Sequence, residues 1–348
     1  MTDQPKTMRG VWLVGHGGLD MLEIRKDIPV PKPQPREVLV RVAAAGVNNT
    51  DINTRTAWYS KKDGASEDAS WSGQPLQFPR IQGADVCGRI VAVGAGVNAD
   101  RVGERVLIEP CIREAHGRDL EQPWYLGSEC DGGFAAFAVV ASRHAYKIDS
   151  ELSDAQLASF PCSYSTAENL LTRAGVARGD RVLITGASGG VGSGAVQLAK
   201  ARGATVFAVT SPEKSKAVCE LGADEAVSRQ ENLVTAIGPD AVEVVIDLVA
   251  GDKWPQYLQV LRPGGRYAVA GAIGGPQVTL DVRTLYLKDL SLFGCTILEQ
   301  EVFQHLIHRI EQGAVSPIVA QTFDLEEIRD AQTVFMQKKH VGKIVLTI

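Results

Sequence analysis

Two rhythms of apolar and polar positions divide the chain. Up to about residue 150, short alternating or β-branched runs such as "VLVRVAAAGV" and "GRIVAVG" are broken by Pro and Gly, which predicts an irregular β domain. From "SDAQLASFPCSYSTAENLL" onward, strand-like runs ("RVLIT", "TVFAVT", "VEVVIDLV", "GRYAVAG") alternate with helical periods ("GAVQLAKARG", "PEKSKAVCELG", "KWPQYLQVLRPG"). That alternation predicts an α/β fold with a parallel, doubly wound sheet. Near Ser291 the rhythm shifts to a helix from about Glu301 to Glu311, a second from about Leu325 to Gln337, and a closing strand "GKIVLTI". The tail either returns to the first domain or closes the second. Two polar stretches, "SKKDGASEDASWSGQPLQ" and "IREAHGRDLEQPWYLGSE", read as loops of more than usual length.

Composition changes this picture little. A chain of 348 residues, 45% of them apolar, has length for about two domains and ample apolar surface to bury. The net charge of −5 and pI near 5.8 argue against a nucleic-acid partner. Six scattered cysteines lack the spacing of a disulfide framework and read as reduced thiols. The N-terminal stretch has no signal-peptide character, and no apolar run approaches a membrane span, so the expected location is the cytoplasm.

The strongest local signal is "DRVLITGASGGVGSGAVQLAKARGATVFAVTSPEKSK". A buried strand runs into Gly186, Gly189, Gly190 and Gly192, and a helix follows with Val191, Ala195 and Leu198 on one face. Such glycines permit a tight turn and close approach of a pyrophosphate, which the N–H groups and positive dipole end of the helix then hold. Ala187 stands where G-x-G-x-x-G begins, so the strand-turn-helix context carries the reading. No carboxylate ends the next strand to hold a ribose 2′-hydroxyl; the sequence there is Val209-Thr210-Ser211-Pro212. Ser211 and Pro212 suit N-cap and N1 positions, and Lys214 and Lys216 either meet a 2′-phosphate or form a solvated helix face. NADPH is the expected cofactor.

A strand-rich first half, a Rossmann half opening on "GASGGVG" and a closing "GKIVL" together resemble the medium-chain dehydrogenase/reductase superfamily over essentially the whole chain, and within it the zinc-independent quinone oxidoreductase and enoyl reductase branch. The resemblance implies a GroES-like catalytic domain over residues 1–150, completed by 295–348, a Rossmann domain over 151–294, a substrate cleft between them, and a homodimer. Zinc-using members hold the metal through a Cys after an "AGV"-like strand end, a His in a "GHE" segment, and a Cys at the start of the Rossmann half. Here those places read Asn48, Ala84 (in "QGADVCG") and Cys162, with Asp85 in the Glu place. One thiol and one carboxylate do not make a catalytic zinc site. Cys111 and Cys130 fall at the ends of the structural-zinc lobe without the close-set partners a Cys₄ site requires. Asp85 and Cys87 read as strand-entry and packing residues.

Without a metal, hydride must pass to an already electrophilic acceptor, a quinone or an activated C=C, with a proton from a side chain or water. The resemblance sets Asn48 near the nicotinamide and Tyr59 as proton donor. Cofactor contacts are expected at Asn48, Thr166, Ser188, Gly189, Gly190, Val191, Gly192, Ser211, Lys214 and Lys343. Asn48 either holds a carboxamide or carbonyl, or satisfies backbone groups at a strand end; Tyr59 either donates a proton or packs on Trp58. Asp51 and Arg55 organise this segment, and His16, His144 and His340 read as structural. The loop between Tyr59 and Gly83 is longer than the quinone reductase pattern, and Trp58, Trp71 and Phe78 could wall in a flat acceptor. Two other readings stand beside this one: a zinc-type alcohol dehydrogenase with an Asp85/Cys162 site, and a non-catalytic, crystallin-like NADPH-binding protein.

Overall fold

The computed structural model describes residues 5–61 and 67–348. Two compact units form: Met1–Cys162 with Pro317–Lys339 and Lys343–Ile348, and Ser163–Ser316 with His340–Gly342. The first opens with an antiparallel pair, β1 (Thr7–Leu13) and β2 (Leu22–Pro29), followed by the long β3 (Glu37–Val47). Along β3 only Arg41 is exposed and Ala43 is half-buried; the other Val, Leu and Ala side chains are covered on both faces, as befits a central strand. Helix α1 (Asn49–Arg55) starts where β3 ends. Then come β4 (Cys87–Val93), β5 (Arg105–Ile108), β6 (Cys111–Ala115), β7 (Arg118–Tyr125), β8 (Phe137–Ala141), β9 (Ala145–Lys147) and the short α2 (Asp154–Leu157).

The stretch read as a second long loop is in fact the β6–β7 hairpin. His116 and Gly117, both at positive φ, make its two-residue turn, the backbone twist that tight hairpins prefer. The charged, mostly solvent-facing side chains of β7 conceal its alternation.

Helix α3 (Pro161–Arg173) leads into the second unit. There β10 (Arg181–Ile184), α4 (Gly190–Ala201), β11 (Thr205–Thr210), α5 (Ser215–Glu220), β12 (Glu225–Ser228), α6 (Leu233–Ile237), β13 (Val242–Asp247), α7 (Trp254–Val260), β14 (Leu261–Val269), α8 (Val282–Leu287) and β15 (Ser291–Gly294) alternate. Six parallel strands lie in the order β12-β11-β10-β13-β14-β15. The order reverses beside β10, the switch point at which such sheets take their nucleotide.

Helix α9 (Val302–Glu311) also belongs to the second unit. It buries Val302, Phe303, Leu306, Ile307 and Ile310, and the Asn169 side chain ties down the Ile297 carbonyl and the Glu299 N–H just before it. That packing moves the boundary from 294 to 316. The earlier boundary falls at 162 rather than 150 because α2 is bound to the first unit: Arg105 grips Asp154 and the Ser150 and Leu152 carbonyls.

The tail returns to the first unit as β16 (Val319–Asp324), α10 (Ile328–Met336) and β17 (Lys343–Thr347). The sheet there runs β16-β17-β3-β4-β5-β9, with β8 also paired to β3. Ile328, Ala331 and Phe335 put one face of α10 into the core with Leu39, Val47 and Ile344. Burial of each large side chain is worth about 1.5–3 kcal/mol.

Candidate active site

Strand register brings three distant polar residues together. Ile344 of β17 lies opposite Val47 of β3, and Ala44 of β3 opposite Cys87 of β4. Lys343 at the head of β17, Asn48 just past β3 and Asp85 just before β4 are thereby neighbours. Lys343 Nζ donates to Asp85 Oδ2 at 2.7 Å and to Asn48 Oδ1 at 2.5 Å, and Asn48 Nδ2 donates to Asp85 Oδ2 at 2.7 Å. The Cys162 N–H donates to the other Asp85 oxygen. All three side chains are buried, Asp85 completely. Gly46 is needed beside them, since a Cβ there would stand 2.4 Å from Asp85 Oδ2 and 2.9 Å from the Ala158 carbonyl.

Asp85 is thus more than a strand-entry residue: it is the anion of a closed network. Asn48 has both ends of its amide engaged within that network, which fixes its orientation. Lys343, expected at the cofactor, spends its ammonium on Asp85 and Asn48. Cys87 packs as expected, buried, its thiol pushed up by burial and by Asp154.

The donor set does not fit zinc. Ala84 offers a methyl group, and Cys162 Sγ lies 3.1 Å from the Tyr125 hydroxyl. Burial first, then Asp85, pushes the Cys162 thiol up to about 12. The Lys343 ammonium already compensates Asp85, and among the described residues no cluster of three His, Cys, Asp or Glu side chains could hold a metal. Tyr125, hidden from sequence reasoning inside the supposed loop, packs with Ala84 and Cys162, and Trp71 stacks on it at 4.9 Å and 25°.

The two long stretches meet at this stack. Glu129 accepts the Ser72 N–H on Oε1 and the Tyr125 N–H on Oε2, each at 2.8 Å, and Ser128 Oγ accepts the Trp71 N–H at 3.0 Å. Residues 62–66 of the first stretch lie outside the described residues. Of the three aromatics expected to wall in an acceptor, only Trp71 joins this cluster; Trp58 meets Tyr59 edge-on and Phe78 meets His16.

Tyr59, part-buried, donates to Thr50 Oγ1 at 3.2 Å, and burial raises its pKa, so it keeps its proton at neutral pH. Asp51 accepts the Asn48 N–H at 2.8 Å and the Gly83 N–H at 3.2 Å, and burial pushes its carboxyl up to about 7. Arg55 is an organising residue: its Nε donates to Gln332 and one of its amino groups to the Gly17 carbonyl. His144, buried, accepts the Arg113 N–H on Nε2, which leaves Nδ1 to donate to Glu109 at 2.9 Å; His16 reaches the Thr54 carbonyl, and the His340 carbonyl accepts from Lys214.

In the second unit the Gly-rich turn has the form a dinucleotide requires. Gly186 sits at φ +59, and a Cβ on Gly192 would stand 2.2 Å from the Gly186 carbonyl oxygen. Ser193 makes the first helical hydrogen bond of α4, to Gly189, so the N–H groups of Gly190, Val191 and Gly192 lack intrahelical partners and Gly189 gives no side-chain cap. The Ser188 carbonyl is taken by the Gly342 N–H, and Thr166 lies on α3. Thr210 Oγ1 at the end of β11 is buried with no hydrogen-bond partner among the described residues. Ser211 and Pro212 take the expected cap positions, with the Ser211 hydroxyl turned to Glu213. Lys214 Nζ donates to the His340 carbonyl at 2.8 Å, and burial first, then neighbouring Arg229, lowers its pKa. Arg229, whose N–H bonds the Thr210 carbonyl, is a second cation at this strand end that sequence reasoning missed. The short β12 that delivers it gives little apolar signal. These residues fit a dinucleotide.

Comparison with known proteins agrees in architecture. Residues 34–150 match the alcohol dehydrogenase GroES-like domain and residues 190–312 the zinc-binding dehydrogenase family. The quinone oxidoreductase of Rattus norvegicus is 31% identical over the full length of both chains. The acryloyl-coenzyme A reductase of Metallosphaera sedula is 30% identical over 98% of this chain and all of its own. A solved structure of an alcohol dehydrogenase-like protein from Sinorhizobium meliloti 1021 superposes with a TM-score of 0.90 at 42% identity, covering 100% of this chain and 98% of the other.

Proposed function

The chain belongs to the medium-chain dehydrogenase/reductase superfamily and is an NAD(P)H-dependent oxidoreductase, and from that premise we propose that it is a zinc-independent, NADPH-preferring reductase of quinones or α,β-unsaturated carbonyl compounds. One observation carries the reading. Where a catalytic metal would polarise an alcohol or carbonyl, there stand an Ala84 methyl, a neutral Cys162 thiol bonded to Tyr125, and an Asn48 amide locked to Lys343 and Asp85. Such a site supplies no Lewis acid, so the acceptor must bring its own electrophilicity. The names of the rat and Metallosphaera relatives, a quinone oxidoreductase and an acryloyl-coenzyme A reductase, fall within that acceptor class.

When bound, the nicotinamide supplies the hydride. Tyr59 Oη holds the proton that quenches the enolate formed by hydride addition to the β-carbon, and solvent reprotonates it. The Trp71–Tyr125 stack offers a flat aromatic surface against a conjugated acceptor. An Asp85/Cys162 zinc site is disfavoured because Lys343 already neutralises Asp85. A homodimer working in the cytoplasm goes with the reading on family grounds.

The purified protein should oxidise NADPH with quinones and enones. Tyr59→Phe should lower kcat for enones by about 10²-fold, lower quinone turnover less because a hydroquinone anion needs no carbon protonation, and leave NADPH affinity unchanged. Unchanged enone turnover in Tyr59→Phe would remove the phenol from the mechanism. A protein that binds NADPH yet leaves every acceptor unreduced would favour the non-catalytic reading.

Cofactor preference is assigned to the cations at the end of β11. Lys214, Arg229 and Ser211 would take the 2′-phosphate, and Thr210 Oγ1 has a free donor beside them. Arg229→Ala should weaken NADPH by about 2 kcal/mol, roughly thirtyfold, with NADH nearly unaffected, and Lys214→Ala should act in the same direction. Equal losses for the two nucleotides in titrations of nucleotide fluorescence would contradict the assignment.

A further inference from the structure

Three arginines form one row across the sheet of the first unit. Register sets Arg41 of β3 opposite Arg89 of β4, and Arg89 opposite Arg105 of β5. Directly opposed residues on adjacent antiparallel strands share a face, and like charges so placed destabilise the pair. Arg105 is neutralised: its guanidinium lies 2.6 Å from Asp154 Oδ1 and donates also to the Ser150 and Leu152 carbonyls. No such relief reaches the other two. Neither Arg41 nor Arg89 has an ion-pair partner among the described residues; Arg89 makes a long 3.4 Å bond to the Gly103 carbonyl, and the Arg41 guanidinium lies 6.0 Å from the Phe137 ring. Arg41 is also the single exposed position along β3.

Both unpaired arginines line one concavity of about 390 Å³, whose wall also holds Ala43, Val91, Val102 and Ile348 and one carboxylate, Asp154, which Arg105 already neutralises. That volume lies in the range of small-ligand sites, roughly 300–1,000 Å³. We propose that this groove binds a phosphate-bearing small molecule, its anionic group bridging Arg41 and Arg89 and its less polar part lying on Val91, Val102 and Ile348. An anion held by both guanidinium groups relieves the repulsion between like charges at paired positions and gains a two-pronged, charge-assisted contact. A concavity of this size with cations at two points suits a small ligand better than a flat macromolecular surface. The site shares no residue with the Gly-rich turn or with the Asn48–Asp85–Lys343 network, so it stands or falls separately from the proposed reaction.

The phosphate could be free or could be the handle of a larger nucleotide-bearing molecule, and two probes separate these sources. Calorimetric titration of the protein saturated with NADPH, which fills the dinucleotide turn, is run with inorganic pyrophosphate and with adenosine 3′,5′-bisphosphate. Saturable binding of either, weakened about tenfold or more in both Arg41→Gln and Arg89→Gln, is expected. Tighter binding of the bisphosphate than of pyrophosphate would identify a nucleotide handle, the reverse a free phosphate. Without ligand, both variants should melt no lower than the parent, because each removes a like-charge neighbour, and each should lose the rise in melting temperature that pyrophosphate gives the parent. Absence of saturable binding in the parent, or binding that survives both substitutions, overturns the proposal.

Discussion

Replacing Lys343 by Met should cost the first unit about 3–5 kcal/mol. The ion pair is not a strong net stabiliser, since removing both charges from water offsets much of their attraction. The cost comes from what is left behind: a fully buried Asp85 carboxylate facing only the Asn48 amide and the Cys162 N–H. Asp85→Asn combined with Lys343→Met should therefore recover most of the loss, and the urea midpoints of the four proteins in that cycle measure the coupling. A Lys343→Met protein within 1 kcal/mol of the parent would mean that water reaches Asp85. The same variant should lose turnover even where it folds, because Asn48 Oδ1 loses the donor that orients it.

The second large effect separates two glycines that the sequence motif treats alike. Gly192→Ala should cost about 3 kcal/mol or more, because the new Cβ would stand 2.2 Å from the Gly186 oxygen and 2.7 Å from Ala187 Cα, backbone atoms that no rotamer change can move. Gly189→Val should fold normally: the nearest atom to its Cβ lies at 3.5 Å and its backbone is extended, open to any residue. It should nonetheless abolish NADPH binding, since the branched side chain covers the N–H groups of α4. Thermal melts and NADPH fluorescence on the two variants test this, and a Gly189→Val protein that still binds NADPH would remove the pyrophosphate from this turn.

Periodicity made most of the second unit legible. Val182, Val206, Val244 and Ala268 sit in apolar runs of strand length separated by helical ones, and those runs are β10, β11, β13 and β14. The edge strands β12 and β15 escaped because "EAVS" and "SLFG", four residues each, are too short to carry a period. In the first unit the chemistry was only half readable. The replacement of metal ligands at Asn48 and Ala84 was visible by resemblance, whereas the Lys343–Asn48 contact joins residues 295 positions apart and exists only through the β17–β3 ladder. Tyr125 was hidden for a different reason: its strand lies at a hairpin edge where charged side chains face solvent.

That ladder also has a bearing on the order of synthesis. A chain made from its N-terminus exposes Asp85 and the β17-facing edge of β3 long before Lys343 exists, with the whole second unit still to be translated. At about 5–20 residues per second, the acid waits on the order of ten seconds or more for its counter-ion. The first unit is thus the first begun and the last completed, and the second can fold while β3 still lacks its neighbour. A nascent chain stalled before residue 343 should hold a folded nucleotide-binding unit beside an unfinished sheet, and chaperones that shield open strand edges should engage it there.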